Sequence, residues 1–200
     1  IADLAHSTNY ALNKLGYPTH EIEKYNFMVG NGIDKLFERA LPEGEKSKEN
    51  VLRVHKEFVP YYDIHNADDS RPYPGIPELL SYLQDAGIQI AVASNKYQAA
   101  TQKLIDHYFP EIHFTAVFGQ REGIKVKPDP TVVFDILEVA KVTKEEVLYV
   151  GDSGVDMQTA ANAGVTACGV TWGFRPRAEL EEFSPQYIVD TAEEIKRLIL

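Results

Sequence analysis

Apolar residues in the first 70 positions recur at the spacing of amphipathic helices. They repeat every three or four residues from position 1 to about position 15, where a Gly-Tyr-Pro sequence ends the pattern. A short helix is predicted after Thr19, and another over 33–41, following a glycine-containing turn. Ser47 is suited to cap the next helix. We therefore predict an all-helical domain over residues 1–70.

The pattern changes after residues 63–74, a polar segment with two prolines that is predicted to be a linker. Short apolar runs, which are typical of strands buried on both faces, then alternate with amphipathic helices. The predicted strands are 88–93, 116–118, 147–150, 165–170 and 187–189. The predicted helices lie near 76–86, 97–108, 130–140, 156–163, 177–182 and from 191 onwards. This alternation predicts an α/β fold with a Rossmann-like parallel sheet over residues 71–200.

Composition narrows the classes of function. The chain has 20 Lys and Arg against 30 Asp and Glu, a net charge of −10, which argues against nucleic-acid or anionic-membrane binding. We find no apolar stretch long enough to span a membrane. The single cysteine, Cys168, excludes a disulfide within the chain and favours a reducing compartment, so we expect a cytoplasmic protein. A small phosphate substrate remains compatible, because local N–H groups and cations hold such anions.

Polar residues follow the predicted strands at the sheet edge where ligands bind in such folds. Ser94 and Asn95 follow the first strand, Lys127 precedes a helix after the second, and Asp152 and Asp156 follow the third. Each residue alone could be a helix cap or a solvated side chain. Their joint occurrence, each at the appropriate end of its element, indicates phosphoryl transfer.

Phosphoryl transfer needs fixed positive charge and hydrogen-bond donors around the phosphoryl oxygens. Lys127 can supply the charge, and Ser94 with the backbone N–H groups after it can supply donors. Asp152 is a hard oxygen ligand suited to Mg²⁺, the cofactor that we expect. Asp156, one helical turn later, can hold Asp152 or a metal-bound water. The residues offer no nucleophile, because neither a reactive cysteine nor a Ser–His pair is evident.

Three segments resemble the motifs of the haloacid dehalogenase superfamily of phosphohydrolases. They are Ser-Asn-Lys at 94–96, Lys-Pro-Asp-Pro at 127–130 and Gly-Asp-Ser-x-x-Asp at 151–156. Val-Gly-Asn-Gly at 29–32, followed by Leu36 and Arg-Ala-Leu at 39–41, is similar to the cap segment of phosphoglycolate phosphatases. The segment 169–174 resembles the loop after the last motif. The resemblance covers essentially the whole chain.

The resemblance implies a role for each of these core residues. Lys127 would steady the charge of an aspartyl-phosphate, and Ser94 and Asn95 would bind the phosphoryl group. Asp152 would complete the Mg²⁺ site, with Asp156 behind it.

The resemblance also implies a role for the helical part. Residues 1–70 would be an all-helical cap inserted into the Rossmann-like core, and the cap would cover the site and exclude water during the reaction. Asn31 and Gly32 would bind the non-phosphate end of the substrate.

The family's first motif, Asp-x-Asp-Gly-Thr, is absent from the 200 residues. In the family this motif ends the first core strand and carries the nucleophile and the general acid/base. Asp3 is not the nucleophile, because it lies in a helical pattern with no strand before it. We therefore expect the nucleophile and the first core strand to lie upstream of Ile1, and the 200-residue chain to be inactive.

The resemblance favours a Mg²⁺-dependent phosphatase for a small phosphate monoester, with phosphoglycolate as the expected substrate. One alternative is a sugar-phosphate mutase resembling β-phosphoglucomutase, which would share the core residues. Another is a non-catalytic binding protein that kept the fold and lost the nucleophile. A dehalogenase fits less well, because residues 151–153 suit a metal and dehalogenases of this fold use none. The sequence leaves the oligomeric state open.

Overall fold

The computed structural model describes residues 1–199 and divides the chain into two compact units. The first unit comprises Ile1–Arg71, and the second begins at Pro72. No helix among residues 1–199 is both long and apolar enough to span a bilayer. The role of the first unit as a cap stays a prediction.

The first unit is helical, as its apolar spacing indicates. Its elements are α1 (Ala2–Lys14), a 3-10 helix (Ile22–Phe27), α2 (Ile33–Ala40) and α3 (Lys48–His65). Ser47 caps α3, because its side chain accepts a hydrogen bond from the backbone N–H of Asn50. Asp3 lies inside α1, which agrees with the inference that it is not the nucleophile of the family motif.

Asp3 is buried and ties the start of α1 to the end of the first unit. Its carboxylate accepts hydrogen bonds from the backbone N–H groups of Asp69 and Ser70, at 2.8 and 2.9 Å, and from the Ser70 hydroxyl at 2.5 Å. These contacts satisfy a buried charge with several donors, as burial requires. The beginning and the end of the first unit are therefore held next to each other.

The predicted linker from residue 63 begins too early, because α3 continues to His65 through Pro60. A proline inside a helix removes one backbone hydrogen bond and disfavours continuation. Here Tyr62 is buried and stacks on Phe58, with ring centroids 4.9 Å apart. We infer that this packing outweighs the cost of the proline.

The second unit alternates helices with short parallel strands, which confirms the predicted α/β class. Its strands are β1 (Ala91–Tyr97), β2 (Ala116–Gln120), β3 (Leu148–Gly151), β4 (Thr166–Val170) and β5 (Tyr187–Val189). Its helices are α4 (Ile76–Asp85), α5 (Gln98–Tyr108), α6 (Thr131–Ala140), α7 (Gly154–Ala163), α8 (Arg177–Glu181) and α9 (Ala192–Ile199), with a 3-10 helix at Lys144–Glu146.

The strands form two parallel sheets rather than the single sheet that the sequence predicts. One sheet pairs β1 with β2, and the other has the order β3-β4-β5. In the second sheet, Tyr149 is opposite Ala167 and Gly151 is opposite Gly169. The carboxyl ends of β3 and β4 therefore lie side by side, where α/β folds place their ligands.

The first strand of the second unit is longer at its carboxyl end than predicted. It was expected to end at residue 93, whereas β1 runs to Tyr97. Its register with β2 shifts between Ala93 and Tyr97, so residues 94–96 form an irregular, bulged stretch. Bulges redirect side chains and often lie beside functional sites. Ser94 and Asn95 consequently project from the strand itself and not from a loop after it.

Two apolar clusters cover the sheets of the second unit. One contains Tyr149 and Ala167 together with α6 and α7 residues such as Val133 and Met157. The other contains Cys168 and Val170 from β4 together with residues from α4 and α9. Because neighbouring residues of β4 enter different clusters, helices pack on both faces of that strand.

Candidate active site

The structure brings together three of the segments that the sequence singled out in the second unit. The Asn95 side chain donates from Nδ2 to the Lys127 carbonyl at 3.1 Å and accepts at Oδ1 from the Lys127 N–H at 2.8 Å. Lys127 Nζ in turn donates to Asp156 Oδ1 at 2.7 Å and to the Ala93 carbonyl at 3.0 Å. The bulge of β1, the loop before α6 and the start of α7 are thus joined by direct hydrogen bonds.

Ser94 and Asn95 do not cap the helix that follows them. The N-cap residue of α5 is Tyr97, and no side-chain hydrogen bond caps this helix. Ser94 Oγ accepts from the Lys96 N–H at 3.1 Å, while the Asn95 amide is turned toward Lys127. The helix-cap interpretation of these two residues is therefore wrong.

Lys127 and Asp156 form a nearly buried ion pair. Their side chains are 12% and 9% exposed. Burial lowers the pKa of the Lys127 ammonium, but Tyr149 and Asp156 outweigh burial and raise this pKa above its usual value. Burial raises the pKa of Asp156, but the Lys127 charge outweighs burial and holds this pKa below its usual value. Both groups therefore stay charged near neutral pH.

Both carboxylate oxygens of Asp156 have partners in the chain. Oδ1 accepts from Lys127 Nζ and from the Tyr149 hydroxyl, the latter at 3.3 Å. Oδ2 accepts from the Ser153 hydroxyl at 2.6 Å, while Ser153 also caps α7. This saturation suits a residue that positions Lys127 better than a residue that binds a metal directly.

Asp152 has a different environment. Its Oδ2 accepts from the backbone N–H of Phe174 at 2.9 Å. Burial is the main influence on Asp152 and raises the pKa of its carboxyl. A partly buried carboxylate with few donors gains from a nearby cation. Asp152 therefore has the chemistry of a ligand for a hard cation.

The two acidic residues are packed directly against glycines. A Cβ atom at Gly151 would lie 2.2 Å from Asp156 Cβ, and a Cβ atom at Gly173 would lie 2.1 Å from Asp152 Oδ2. Any larger residue at either position would have to displace backbone or the acidic side chain. Both carboxylates can occupy their observed positions only because Gly151 and Gly173 have no side chain.

The residues fit a Mg²⁺ ion in part. Within residues 1–199 there is no group of three or more His, Cys, Asp or Glu side chains that could hold a metal ion. Magnesium, however, is commonly bound by one or two carboxylates together with water and phosphate oxygens. Asp152 meets this requirement as a single ligand, whereas Asp156 is saturated by its own contacts.

A small open depression adjoins the β1 bulge. The residues that line it are Ser94, Asn95, Gly119, Gln120, Arg121, Ile124, Lys125, Val126, Lys127 and Val132. Ser94, Asn95 and Lys127 therefore line one shared depression.

Asn31 and Gly32 lie in the first unit, on the turn before α2. Gly32 is the N-cap residue of α2, and no side-chain hydrogen bond caps the helix there. Asn31 Oδ1 accepts from Arg39 Nη2 at 2.7 Å, and Arg39 Nη1 donates to the Met28 carbonyl at 2.8 Å. Arg39 therefore fixes the shape of this turn.

Several groups that shape the site are not among the residues that the sequence predicts. Tyr149 lies in the predicted strand 147–150, and its hydroxyl is a polar group within that apolar run that could have indicated a role in the site. The Ala93 carbonyl and the Phe174 N–H were also missed. Backbone groups carry no residue-type signal, so only the folded chain identifies them.

Comparison with known proteins shows similarity over the whole chain. A phosphoglycolate phosphatase from Vibrio parahaemolyticus is 28% identical over 204 residues, covering 100% of this chain and 90% of the relative. One from Agrobacterium fabrum is 32% identical over 193 residues, covering 94% of this chain and 82% of the relative. A crystal structure from Lactobacillus delbrueckii subsp. bulgaricus, assigned as a phosphoglycolate phosphatase, is 32% identical with a TM-score of 0.91 and covers 100% of this chain and 92% of its own.

The family itself is defined by a broader match. The family model for haloacid dehalogenase-like hydrolases matches residues 2–170, which include Ser94, Asn95, Lys127, Asp152 and Asp156. The family match and the relatives together support a phosphoric monoester hydrolase. The resemblance seen in the sequence motifs is thus confirmed, and this chain belongs to the haloacid dehalogenase-like hydrolases.

Proposed function

We propose that this protein is a Mg²⁺-dependent phosphatase that hydrolyses a small phosphate monoester. The observation that carries the proposal is the buried Lys127–Asp156 pair, bonded through Asn95 to the bulged end of β1. A fixed cation beside hydroxyl and amide groups is what a phosphate dianion needs. These features support phosphoryl transfer over a purely structural role.

Each residue of the second unit has a proposed task. Lys127 stabilises the negative charge that builds up on the phosphoryl oxygens, with its orientation fixed by Asp156 and the Ala93 carbonyl. Ser94 and Asn95 contribute to binding the phosphoryl group. Asp152 is the ligand that this chain offers to Mg²⁺, which when bound would withdraw charge from the phosphate.

We further propose that the nucleophile is an aspartate outside the 200 residues, on a strand preceding Ile1. Two features of the second unit support an additional strand between β1 and β3. These strands belong to different sheets, yet Ala93 and Tyr149 pack in the same apolar cluster. Val150 on β3 is also 43% exposed, although parallel strands are normally buried on both faces.

Phosphoglycolate is the proposed substrate. The support is the name shared by relatives from several bacteria, together with the glycine-flanked Asn31 turn that Arg39 holds in place. The amide of Asn31 and the backbone of Gly32 would bind the carboxylate end of the molecule. We also propose a cytoplasmic location, which the single cysteine supports.

A panel of phosphate esters, assayed with Mg²⁺ on the enzyme that includes its upstream segment, tests the proposal. We expect release of inorganic phosphate, with a higher kcat/KM for phosphoglycolate than for glucose 6-phosphate. Asn31→Ala should lower this preference, whereas Asn13→Ala, which removes an exposed amide elsewhere in the first unit, should not. Conversion of a sugar phosphate into its isomer without phosphate release would instead identify a mutase.

A further inference from the structure

The hydroxyl of Tyr149 is not explained by packing. Tyr149 lies on β3, is 9% exposed and packs its ring in the cluster that contains Val133 and Met157. A phenylalanine ring would fill the same apolar space. Burying a hydroxyl is unfavourable unless it finds a partner, and the partner here is Asp156 Oδ1 at 3.3 Å. The hydroxyl therefore has a specific target.

That target is the same oxygen that holds Lys127. Lys127 Nζ donates to Asp156 Oδ1 at 2.7 Å, so the phenol and the ammonium converge on one atom. An ammonium group has three N–H donors, and the Ala93 carbonyl takes a second one at 3.0 Å. The direction of the remaining N–H is set by these two contacts, and hence by the position of Asp156 Oδ1.

We propose that Tyr149 is a positioning residue, whose hydroxyl holds the Asp156 carboxylate so that the Lys127 ammonium keeps a fixed direction. Ser153 restrains the other oxygen, Oδ2, and cannot replace a donor to Oδ1. Without the phenol, the carboxylate is free to tilt about its remaining contacts, and the ammonium moves with it.

The chemical state of Tyr149 agrees with this role. Burial is the main cause that raises the pKa of its phenol, to about 12. The phenol therefore remains protonated across the working range of the protein and acts as a donor to the carboxylate. The consequence for the reaction rate rests on the proposed phosphatase function, whereas the effect on Lys127 does not.

The first experiment measures the position of Lys127 without any assay of activity. In protein with ¹⁵N-labelled lysine, the Nζ signal of Lys127 is assigned by its loss in Lys127→Arg. We expect Tyr149→Phe to shift or broaden this signal. Tyr25→Phe is the matched control, because Tyr25 is also buried and its hydroxyl donates to Asn9 Oδ1 at 2.7 Å in the first unit. A Lys127 signal that is the same in wild type and Tyr149→Phe would overturn the proposal.

The second experiment measures the consequence for catalysis in the enzyme with its upstream segment. Tyr149→Phe should lower kcat about tenfold and leave KM within about twofold, because the ammonium is misdirected while substrate contacts remain. Tyr25→Phe should lower the Tm about as much as Tyr149→Phe does, but it should leave kcat unchanged. Equal kcat values in wild type and Tyr149→Phe would show that the hydroxyl does not act on the reaction. A wild-type enzyme that hydrolyses no phosphate ester would refute the proposed function, while the Lys127 signal would still decide the role of Tyr149.

Discussion

Asp152 lies in the bend between β3 and α7, Asp156 lies in the first turn of α7, and the pKa values of the two carboxyl groups are shifted in opposite directions. Burial raises the pKa of Asp152, whereas at Asp156 the Lys127 charge outweighs burial and lowers the pKa. Pairs of acidic groups whose surroundings separate their pKa values commonly have different roles. The charge of Asp156 is already balanced by Lys127. Asp152 is therefore the carboxylate that a bound cation would stabilise.

Asp152→Asn tests this difference in roles. In the enzyme that includes the proposed upstream segment, we expect the concentration of Mg²⁺ needed for half-maximal activity to rise tenfold or more, because the amide is a weaker ligand. Burial holds the pKa of Asp152 above its unfolded value, so its charge reduces stability as pH rises through that range. The variant should therefore keep or raise its Tm at pH 7. Asp85→Asn, at an exposed position, is the control, and a matching change in its Mg²⁺ requirement would argue against the assignment.

Gly173→Ala should have a similar effect without replacing a charged residue. Its added Cβ would lie 2.1 Å from Asp152 Oδ2, so the carboxylate or the loop must move. We expect a weaker Mg²⁺ response, measured by titration of activity. Gly123→Ala is a control for backbone strain, because Gly123 has a φ of +75° but its Cβ would meet nothing within 4 Å. If the two variants have the same Mg²⁺ response, close packing on Asp152 has no role in metal binding.

At the scale of elements, the site depends on contacts between one strand, one loop and one helix. Lys127, in the loop before α6, reaches the Ala93 carbonyl on β1 and Asp156 on α7. The Asn95 side chain, on β1, forms two hydrogen bonds with the backbone of the same loop. The site and the packing of these elements are therefore coupled, and damage to one contact should affect both stability and activity.

Asp156→Asn should destabilise the fold in a pH-dependent manner. Burial raises the pKa of Asp156, but Lys127 holds it below the ordinary value of 3.8. The ion pair therefore stabilises the folded state fully above pH 3.8, and this contribution is lost as the pH falls toward the lowered pKa. At pH 7 we expect a loss of about 3 kcal/mol, because Lys127 is left buried without its partner.

Chemical denaturation at pH 7 and at pH 3 measures this difference. The difference in the free energy of unfolding between wild type and Asp156→Asn should be smaller at pH 3 than at pH 7. Asp135→Asn is the matched control, because Asp135 pairs with Arg121 at 2.5 Å but both side chains are more exposed. Asp135→Asn should therefore lower the free energy of unfolding less than Asp156→Asn does. A loss of unfolding free energy for Asp156→Asn that is the same at both pH values would contradict the ion-pair account.

Asn95→Ala should separate the β1 bulge from the loop before α6. It removes two hydrogen bonds and leaves the Lys127 N–H and carbonyl without those partners, at a cost of about 2 kcal/mol. Asn162→Ala, which removes one hydrogen bond to the adjacent Pro128 carbonyl, should cost less. Thermal melts compare the loss of stability in the two variants. Equal losses in Asn95→Ala and Asn162→Ala would mean that the two hydrogen bonds to the β1 bulge add no more stability than the single bond to Pro128.

The sequence predicts the meeting of these segments but not the details of their contacts. Ser94, Lys127 and Asp156 follow from one rule, that the carboxyl ends of parallel strands share a sheet edge. The bulge in β1 does not follow, because it arises from pairing with β2, which lies more than twenty residues later in the chain. The end of α3 at His65, beyond residue 63 where the linker is predicted to begin, does not follow either, since the contact between Phe58 and Tyr62 is made only in the folded unit.

At the scale of the whole molecule, the arrangement of strands is the feature that needs explanation. The second unit has two parallel sheets, with β1 and β3 unpaired with each other. Unpaired strand edges are unfavourable unless they are covered or completed. The proposed upstream strand would complete both sheets and bring the aspartate nucleophile to their carboxyl ends.

Extending the chain upstream by a strand that carries the proposed Asp-x-Asp segment tests this account. We expect a higher Tm and Mg²⁺-dependent hydrolysis of p-nitrophenyl phosphate, because the strand adds backbone hydrogen bonds and supplies the nucleophile. The 200-residue chain, and a chain with a Gly/Ser-rich extension of equal length, should be inactive. Robust Mg²⁺-dependent activity in either of these two proteins would rule out an upstream nucleophile.

The hydrogen bonds of Asp3 with Asp69 and Ser70 have a consequence for how such enzymes diversify. Because it holds the entry and the exit of the first unit together, this unit has the geometry of a self-contained module. A module with adjoining ends can be exchanged for another without rerouting the rest of the chain. Evolution can therefore replace the part proposed to select the substrate while the groups proposed to cleave the phosphate ester are inherited unchanged.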